Sequence, residues 1–321
     1  MPGPGETLIL SLRFAANVPY SASEEGNARI LLNNSPEPPI VLTVAGFDPS
    51  CGAGVVADLK TFAVHDCYGL GAITALTIQS TQGVGAVHPV PHATLRAQLD
   101  ALQEDFEIAA VKIGMLANRS NAATVADFLD QAALTRVVLD PVVKPSSGGP
   151  ELLDSGGLKF LREELMKRVA VITPNIEETE LLTGMEVKDL AGMKAAAQKL
   201  VEMGARAAVV KGGHMEKPID VLFDGNELVT FGGDWVKTGH THGTGCTFSS
   251  AIAAQLASGR ALTEAVTLSK AYVAQAILHG YSIGKGPGPV NPFYRFRQDI
   301  AGRAGRPEAR TEQPAPEPSI R

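Results

Sequence analysis

From residue 40 to residue 231, short apolar runs alternate with longer segments whose apolar residues recur at helical spacing. The runs 40–45, 72–78, 109–113, 137–139, 169–173 and 207–210 are largely continuous in apolar residues rather than strictly alternating. Such runs predict short strands buried on both faces. The segments 55–65, 95–106, 121–133, 158–168 and 190–203 repeat their apolar positions every three or four residues, which predicts amphipathic helices. Strand followed by helix, many times over, predicts an α/β fold with a mostly parallel central sheet and helices on both faces. Two further short runs, 219–223 and 227–231, flank Asp224-Gly225-Asn226 and predict a hairpin. Phe248, Ile252 and Leu256 then recur at spacings of four, so a helix opens directly after His242-Gly243-Thr244-Gly245-Cys246-Thr247.

The flanks break this pattern. Residues 1–39 end in Asn33-Asn34-Ser35-Pro36-Glu37-Pro38-Pro39, and residues 298–321 are rich in Arg and Pro. They are expected to be a flexible N-terminal extension (or an over-long start) and a disordered tail around one domain at 40–297. The net charge of −6 comes with no basic block, which argues against nucleic acid or an anionic membrane as partner. No apolar run is long enough to span a bilayer, and residues 1–14 lack the basic start of a secretory leader. Cys51, Cys67 and Cys246 are odd in number and lack metal-ligand spacing, so reduced thiols and a cytoplasmic location are expected.

The chemistry gathers where the predicted strands end. Gly46-Phe47-Asp48, Gln79-Ser80-Thr81-Gln82, Lys112-Ile113-Gly114-Met115, Asp140-Pro141, Thr173-Pro174-Asn175 and Lys211-Gly212-Gly213 each follow or close a strand. In parallel sheets ligands bind outside those carboxyl ends. No G-x-x-x-x-G-K-[ST] and no G-x-G-x-x-G is present, so neither a P-loop nor dinucleotide redox chemistry is expected. The turn 242–247 offers instead an anion hole: unpaired N–H groups at the positive end of a helix. Cys246 falls on the first helical turn, where thiol pKa values drop, and is a candidate proton acceptor. Asn175 and Glu178, three apart at a helix start, suit either the water shell of Mg²⁺ or a capping box. Lys211 suits a polyphosphate or is a solvated lysine at a strand end.

Taken in order, these motifs carry a resemblance. Ala45-Gly46-Phe47-Asp48-Pro49-Ser50-Cys51-Gly52-Ala53-Gly54 runs on through Ala57-Asp58-Leu59-Lys60-Thr61-Phe62, then Gln79-Ser80-Thr81-Gln82-Gly83-Val84 and Lys112-Ile113-Gly114-Met115-Leu116. With Thr173-Pro174-Asn175, Lys211-Gly212-Gly213-His214, the 242–247 turn and the closing Gly284-Lys285-Gly286-Pro287-Gly288-Pro289-Val290, residues 40–297 resemble the hydroxymethylpyrimidine/phosphomethylpyrimidine kinases of thiamine biosynthesis. The resemblance implies a three-layer ribokinase-like fold, ATP and Mg²⁺, a homodimer, and two successive phosphorylations of a pyrimidine alcohol and its monophosphate. It places Asp58 and Gln79 as the pyrimidine-recognising pair and Gly46, Met115 and Val142 along the same pocket. It places Lys211, Asn175, Glu178 and Thr244 around the ATP phosphates, with Mg²⁺ held through water at Asn175 and Glu178. Gly243, Thr244, Gly245 and Cys246 form its anion hole, with Cys246 assisting deprotonation of the hydroxymethyl oxygen.

Three features depart from the family's pattern: Phe47 where Ser or Thr is usual, Cys51 where Gly is usual, and the varied run 144–148. A cysteine at position 51 is expected to mean that no positive φ is needed there. A pyridoxal kinase, or an enzyme of dual specificity, is the nearest rival. A thiazole-alcohol kinase and a catalytically dead vitamin sensor are weaker ones. His242 is expected to shape its turn and Trp235 to pack under the nucleotide-side loops.

Overall fold

The computed structural model describes residues 37–145, 149–213 and 218–296. Most of the expected extension, the expected tail, His214 and residues 146–148 lie outside the described residues. In chain order the elements are β1 (Ile40–Phe47), α1 (Gly54–Val64), β2 (Tyr68–Ser80), β3 (Gly83–Pro89), α2 (His92–Asp105), β4 (Ile108–Ile113), α3 (Arg119–Gln131), β5 (Val137–Leu139) and α4 (Ser155–Glu163). A 3₁₀ turn (Leu165–Arg168), β6 (Val171–Ile172), α5 (Ile176–Thr183), α6 (Leu190–Glu202), β7 (Ala208–Gly212), β8 (Ile219–Phe223), β9 (Leu228–Phe231), α7 (Thr244–Ala257) and α8 (Leu262–Leu278) follow.

The strands form one nine-stranded sheet in the order β3-β2-β1-β4-β5-β6-β7-β8-β9. The central pairs from β2 to β7 are parallel, while β3, β8 and β9 join antiparallel at the edges. Alternate residues of each strand feed opposite cores, as the period of two requires. Leu42, Val44, Val111, Ile113, Val137, Leu139, Ile172, Ala208 and Val210 pack with Leu95, Phe128, Leu161 and Leu200 on the α2–α6 side. Val41, Ala110, Val138, Val171 and Val209 pack with Phe62, Ile252 and Val266 on the α1, α7 and α8 side. The fold is therefore the expected three-layer α/β arrangement.

The chain reverses direction across the sheet at β1, with β2 on one side and β4 on the other. That switch point opens a crevice at the carboxyl ends of β1 and β4, where Gly46 and Gly114-Met115 lie. Several elements differ from the sequence expectation. The predicted helix 158–168 is split, because α4 ends at Glu163 and a 3₁₀ turn takes over. The predicted strand 72–78 extends to 68–80, since Gly69 and Gly71 lie beneath α1. A Cβ at Gly69 would stand 2.7 Å from Leu59, and one at Gly71 3.0 Å from Val55. The glycines permit close helix–strand packing here rather than breaking the strand.

Candidate active site

The turn before α7 is built by backbone packed on backbone. Gly243 holds the N-cap position at φ +80°, and a Cβ there would stand 1.8 Å from the Gly52 carbonyl oxygen. A Cβ at Gly52 would in turn stand 2.3 Å from the His242 ring. The 48–54 turn and the 242–246 turn thus interlock at two glycines, and only glycine fits either place. Asp48 locks them together: its carboxylate accepts from Ser50 N at 2.8 Å and Ala53 N at 3.0 Å, and lies 2.9 Å from His242 Nε2. Burial raises the Asp48 pKa, but the hydrogen bonds from His242 and Ser50 outweigh it and leave the carboxyl below its ordinary 3.8. A carboxyl whose folded pKa is depressed stabilises the fold above its unfolded value and loses that contribution as pH falls through the folded value. Asp48→Asn is therefore expected to flatten the acid limb of Tm against pH below about pH 5. An unaltered limb measured by scanning fluorimetry would contradict this linkage.

His242 does shape its turn, and it also joins the closing segment. Its N–H donates to Gly288 O at 3.1 Å and its carbonyl accepts from Val290 N at 3.2 Å. Cys51 corrects an expectation, since its φ is +58°. Its N–H donates to Asp48 O at 2.9 Å and Lys60 Nζ donates to its carbonyl at 2.8 Å, so the turn holds a non-glycine residue in the left-handed region.

At the mouth of α7 the N–H groups of Gly245 and Cys246 have no carbonyl partner among the described residues, whereas Thr244 N–H donates to Thr241 O and Thr247 N–H to Gly243 O. The Thr244 hydroxyl is tied back to Thr241 O at 2.8 Å. A Cβ on Gly245 would stand 3.3 Å from Lys211 Nζ and 3.6 Å from Asp140 Oδ2, so the glycine lets both side chains come close to the turn. Lys211, on β7, donates to Asp140 Oδ1 at 3.0 Å. Burial lowers the Lys211 pKa, but Asp140 and Glu178 raise it further, and the ammonium stays charged. Asp140 was legible only as a strand-end cluster; the structure makes it the partner of Lys211.

Asn175 and Glu178 form the capping box of α5, with Asn175 Oδ1 accepting from Glu178 N and Glu178 Oε2 accepting from Asn175 N, both at 2.8 Å. Asn175 also bridges to Lys211 along β7. Burial, with the nearby Asp140 charge, pushes Glu178 up to about 7 against the pull of Lys211. Glu178 Oε1 remains outside the cap. That one carboxylate oxygen suits an ion that keeps most of its own waters, as Mg²⁺ does. Among the described residues no three His, Cys, Asp or Glu side chains gather as a metal cage.

Burial pushes the Cys246 thiol up to about 11, against the opposing pull of Lys112, with Asp58 and Asp140 adding to the rise. The lowered pKa expected from its place on the first turn is thus reversed: desolvation outweighs the helix terminus. Gly46, Met115 and Val142 come together as expected. A Cβ on Gly46 would stand 2.8 Å from Met115 Sδ, and Met115 packs with Ala75, Val84, Ala117 and Leu152, against which Val142 rests. Gln79, half-buried near the end of β2, accepts from the Thr77 hydroxyl at 3.1 Å and keeps its amide NH₂ to offer. The β2–β3 turn bearing it is tied to the closing segment by Thr81 Oγ1, which accepts from Lys285 N and Gly286 N.

Asp58 is placed otherwise than the resemblance implies. Its carboxylate is fully buried and accepts from Thr43, Lys112 and Ser250 inside the protein. It has no oxygen left over for a pyrimidine. Lys112, also fully buried, pairs with Asp58; the sequence shows it only as part of the strand-end cluster 112–115, as a lone lysine inside the apolar run 109–113. Trp235, expected to be packed, is 53% exposed.

A family model described as phosphomethylpyrimidine kinase matches residues 48–291. The chain belongs to the phosphomethylpyrimidine kinase family. A hydroxymethylpyrimidine/phosphomethylpyrimidine kinase of Bacillus subtilis is 44% identical over 262 residues, covering 81% of this chain and 96% of that protein. Among solved structures, a Bacillus subtilis pyridoxal kinase in an ADP complex aligns with a TM-score of 0.74 at 34% identity, over 81% of this chain and 99% of that one. A phosphomethylpyrimidine kinase of Clostridium difficile aligns with a TM-score of 0.67 at 36% identity, over 74% of this chain and 99% of that one. The ribokinase-like fold and the kinase class are thereby shown for this family member.

Proposed function

We propose that this kinase transfers the γ-phosphoryl group of ATP to the hydroxymethyl oxygen of 4-amino-5-hydroxymethyl-2-methylpyrimidine, and then a second one to the resulting monophosphate. ADP leaves at each step, and the product is the pyrimidine diphosphate. The observation that carries this reading is the set of groups at the mouth of α7. Two amides with no carbonyl partner among the described residues, the Lys211 ammonium and an apolar wall at Gly46, Met115 and Val142 lie at the carboxyl edge of one sheet. The amides and Lys211 suit the equatorial oxygens of a transferring phosphoryl group, whose charge is largest in the transition state. The wall suits a flat heteroaromatic ring, and the Gln79 amide can donate to its ring nitrogens.

Mg²⁺ is part of the proposal. Glu178 would hold it through water, and the ion would neutralise phosphate charge. Cys246 is assigned the hydroxyl proton. Because burial holds its pKa near 11, the single-turnover rate of phosphoryl transfer is expected to climb with pH from about 7 to 9, close to tenfold per unit. A flat profile would remove Cys246 from the role of base. Gln79→Leu is expected to raise KM for the pyrimidine at least about tenfold while leaving KM for ATP within about twofold. Equal changes in both would make Gln79 structural.

A homodimer and a cytoplasmic location belong to the same proposal. Cys51, Cys67 and Cys246 are all free thiols, in keeping with a reducing compartment. Among the described residues no helix is long and apolar enough to cross a membrane. Sedimentation of the full chain at micromolar concentration gives the oligomeric state directly.

A further inference from the structure

We propose that Lys112 is a positioning residue for phosphoryl transfer: through Asp58 and Ser250 it fixes the first turns of α7, on which Cys246 stands. The inference rests on the kinase reading of the α7 mouth, but its first test needs no substrate.

Lys112 lies within β4, paired with Thr43 of β1 and Val138 of β5. Its side chain and that of Asp58 are both 0% exposed. Lys112 Nζ donates to Asp58 Oδ1 at 3.0 Å and to Oδ2 at 2.8 Å. Thr43 Oγ1 donates to Oδ2 at 2.6 Å, and Ser250 Oγ to Oδ1 at 2.7 Å. Each carboxylate oxygen therefore has two donors, and β1, β4, α1 and α7 meet at one node. Gly114 makes room for it, since a Cβ there would stand 2.8 Å from Lys112 Nζ.

A dry ion pair is a poor way to stabilise a fold, because desolvating two charges costs several kcal/mol and apolar residues of like size often do as well. The placement of this one gives it a second use. Ser250 is one helical turn beyond Cys246, on the same face of α7. The charged groups acting on the thiol are Lys112 from β4, Asp58 from α1, Asp140 after β5 and Lys211 from β7. Burial, Asp58 and Asp140 favour the protonated thiol; the Lys112 charge and a hydrogen bond from the Gly54 backbone oppose them. Removing Lys112 takes away the main opposing charge and leaves Asp58 uncompensated.

The test uses the full chain carrying Cys51→Ser and Cys67→Ala, so that Cys246 is the one cysteine left. In that background Lys112→Met is combined with Asp58→Asn, which avoids a lone buried charge. Alkylation of Cys246 by iodoacetamide is followed against pH, with kcat and both KM values measured alongside. The pair explicitly removes one charge of each sign, so what is read is whether the node as a whole favours the thiolate. The expected result is a higher alkylation midpoint, because the Lys112 charge outweighs that of Asp58 at the thiol, with kcat at pH 7 lower by about tenfold or more and KM for ATP within about twofold. An unmoved midpoint with an unmoved kcat overturns the proposal, whatever happens to Tm. Ser250→Ala keeps the ion pair and serves as the second variant if the double one does not fold. It is expected to lower kcat by about threefold or more with KM unchanged, and an unchanged kcat overturns the proposal.

Discussion

Gly243→Ala is expected to lower kcat by about three orders of magnitude while the protein still folds. At φ +80° any Cβ is strained, and this one would arrive 1.8 Å from the Gly52 carbonyl. The chain has no side chain to rotate out of the way, because the obstacle is backbone. The two turns must separate, and the amides of Gly245 and Cys246 move with them. Displacing a reacting geometry by about 1 Å costs about 10²-fold, and losing one oxyanion-type donor costs about 10²–10³-fold. The Asp48–His242 hydrogen bond spans the same joint, so part of the damage should appear as a lower Tm. Steady-state kinetics on the purified variant provide the check. Activity within tenfold of the parent would mean that the 242–246 turn is not the phosphoryl site.

Lys211→Met is the second large effect, with kcat expected to fall about 10³-fold. Lys211 is the cation beside Gly245 at the α7 mouth, and its 3.0 Å bond to Asp140 fixes where its charge stands. In the variant, Asp140 and Glu178 lose their compensating cation. Glu178 then holds its proton to still higher pH than about 7, since the Lys211 pull was what restrained it. A negative site also repels polyphosphate, so KM for ATP should rise together with the fall in kcat. Lys211→Arg should rescue little, because a planar guanidinium cannot reproduce a point charge in that space. Full activity in the arginine variant would show that any cation suffices and would remove the geometric part of the argument.

What the sequence made legible, and what it hid, follows from the range of each interaction. The parallel strands were readable because burial on both faces leaves continuous apolar runs, as in Val137–Leu139. Helix α8 was not, because its buried face is Ala265, Val266, Ser269, Tyr272, Val273 and Ala276, small and polar residues among the apolar ones. Strand β3 was hidden by Gly83 and Gly85, which read as loop. The anion-hole turn was legible because glycine spacing is a local signal. The Lys112–Asp58 pair joins residues 54 apart, and no local rule connects them. Cys246 shows the same limit in electrostatics. Its place on the first helical turn predicts an acidic thiol, yet burial among distant groups decides the outcome. At Cys51 the side chain suggests an ordinary φ, but its own N–H donating to Asp48 O and Lys60 Nζ donating to its carbonyl hold it at +58°.

The most direct test of the account is phosphoryl transfer itself, measured by coupled ADP formation with ATP and Mg²⁺. The full chain is given hydroxymethylpyrimidine, its monophosphate and pyridoxal in parallel, and the products are identified by mass. The account predicts that the pyrimidine yields first the monophosphate and then the diphosphate, with pyridoxal turned over more slowly or not at all. Turnover of pyridoxal alone would contradict it, and would make the pocket at Gly46, Met115, Val142 and Gln79 a pyridoxal site.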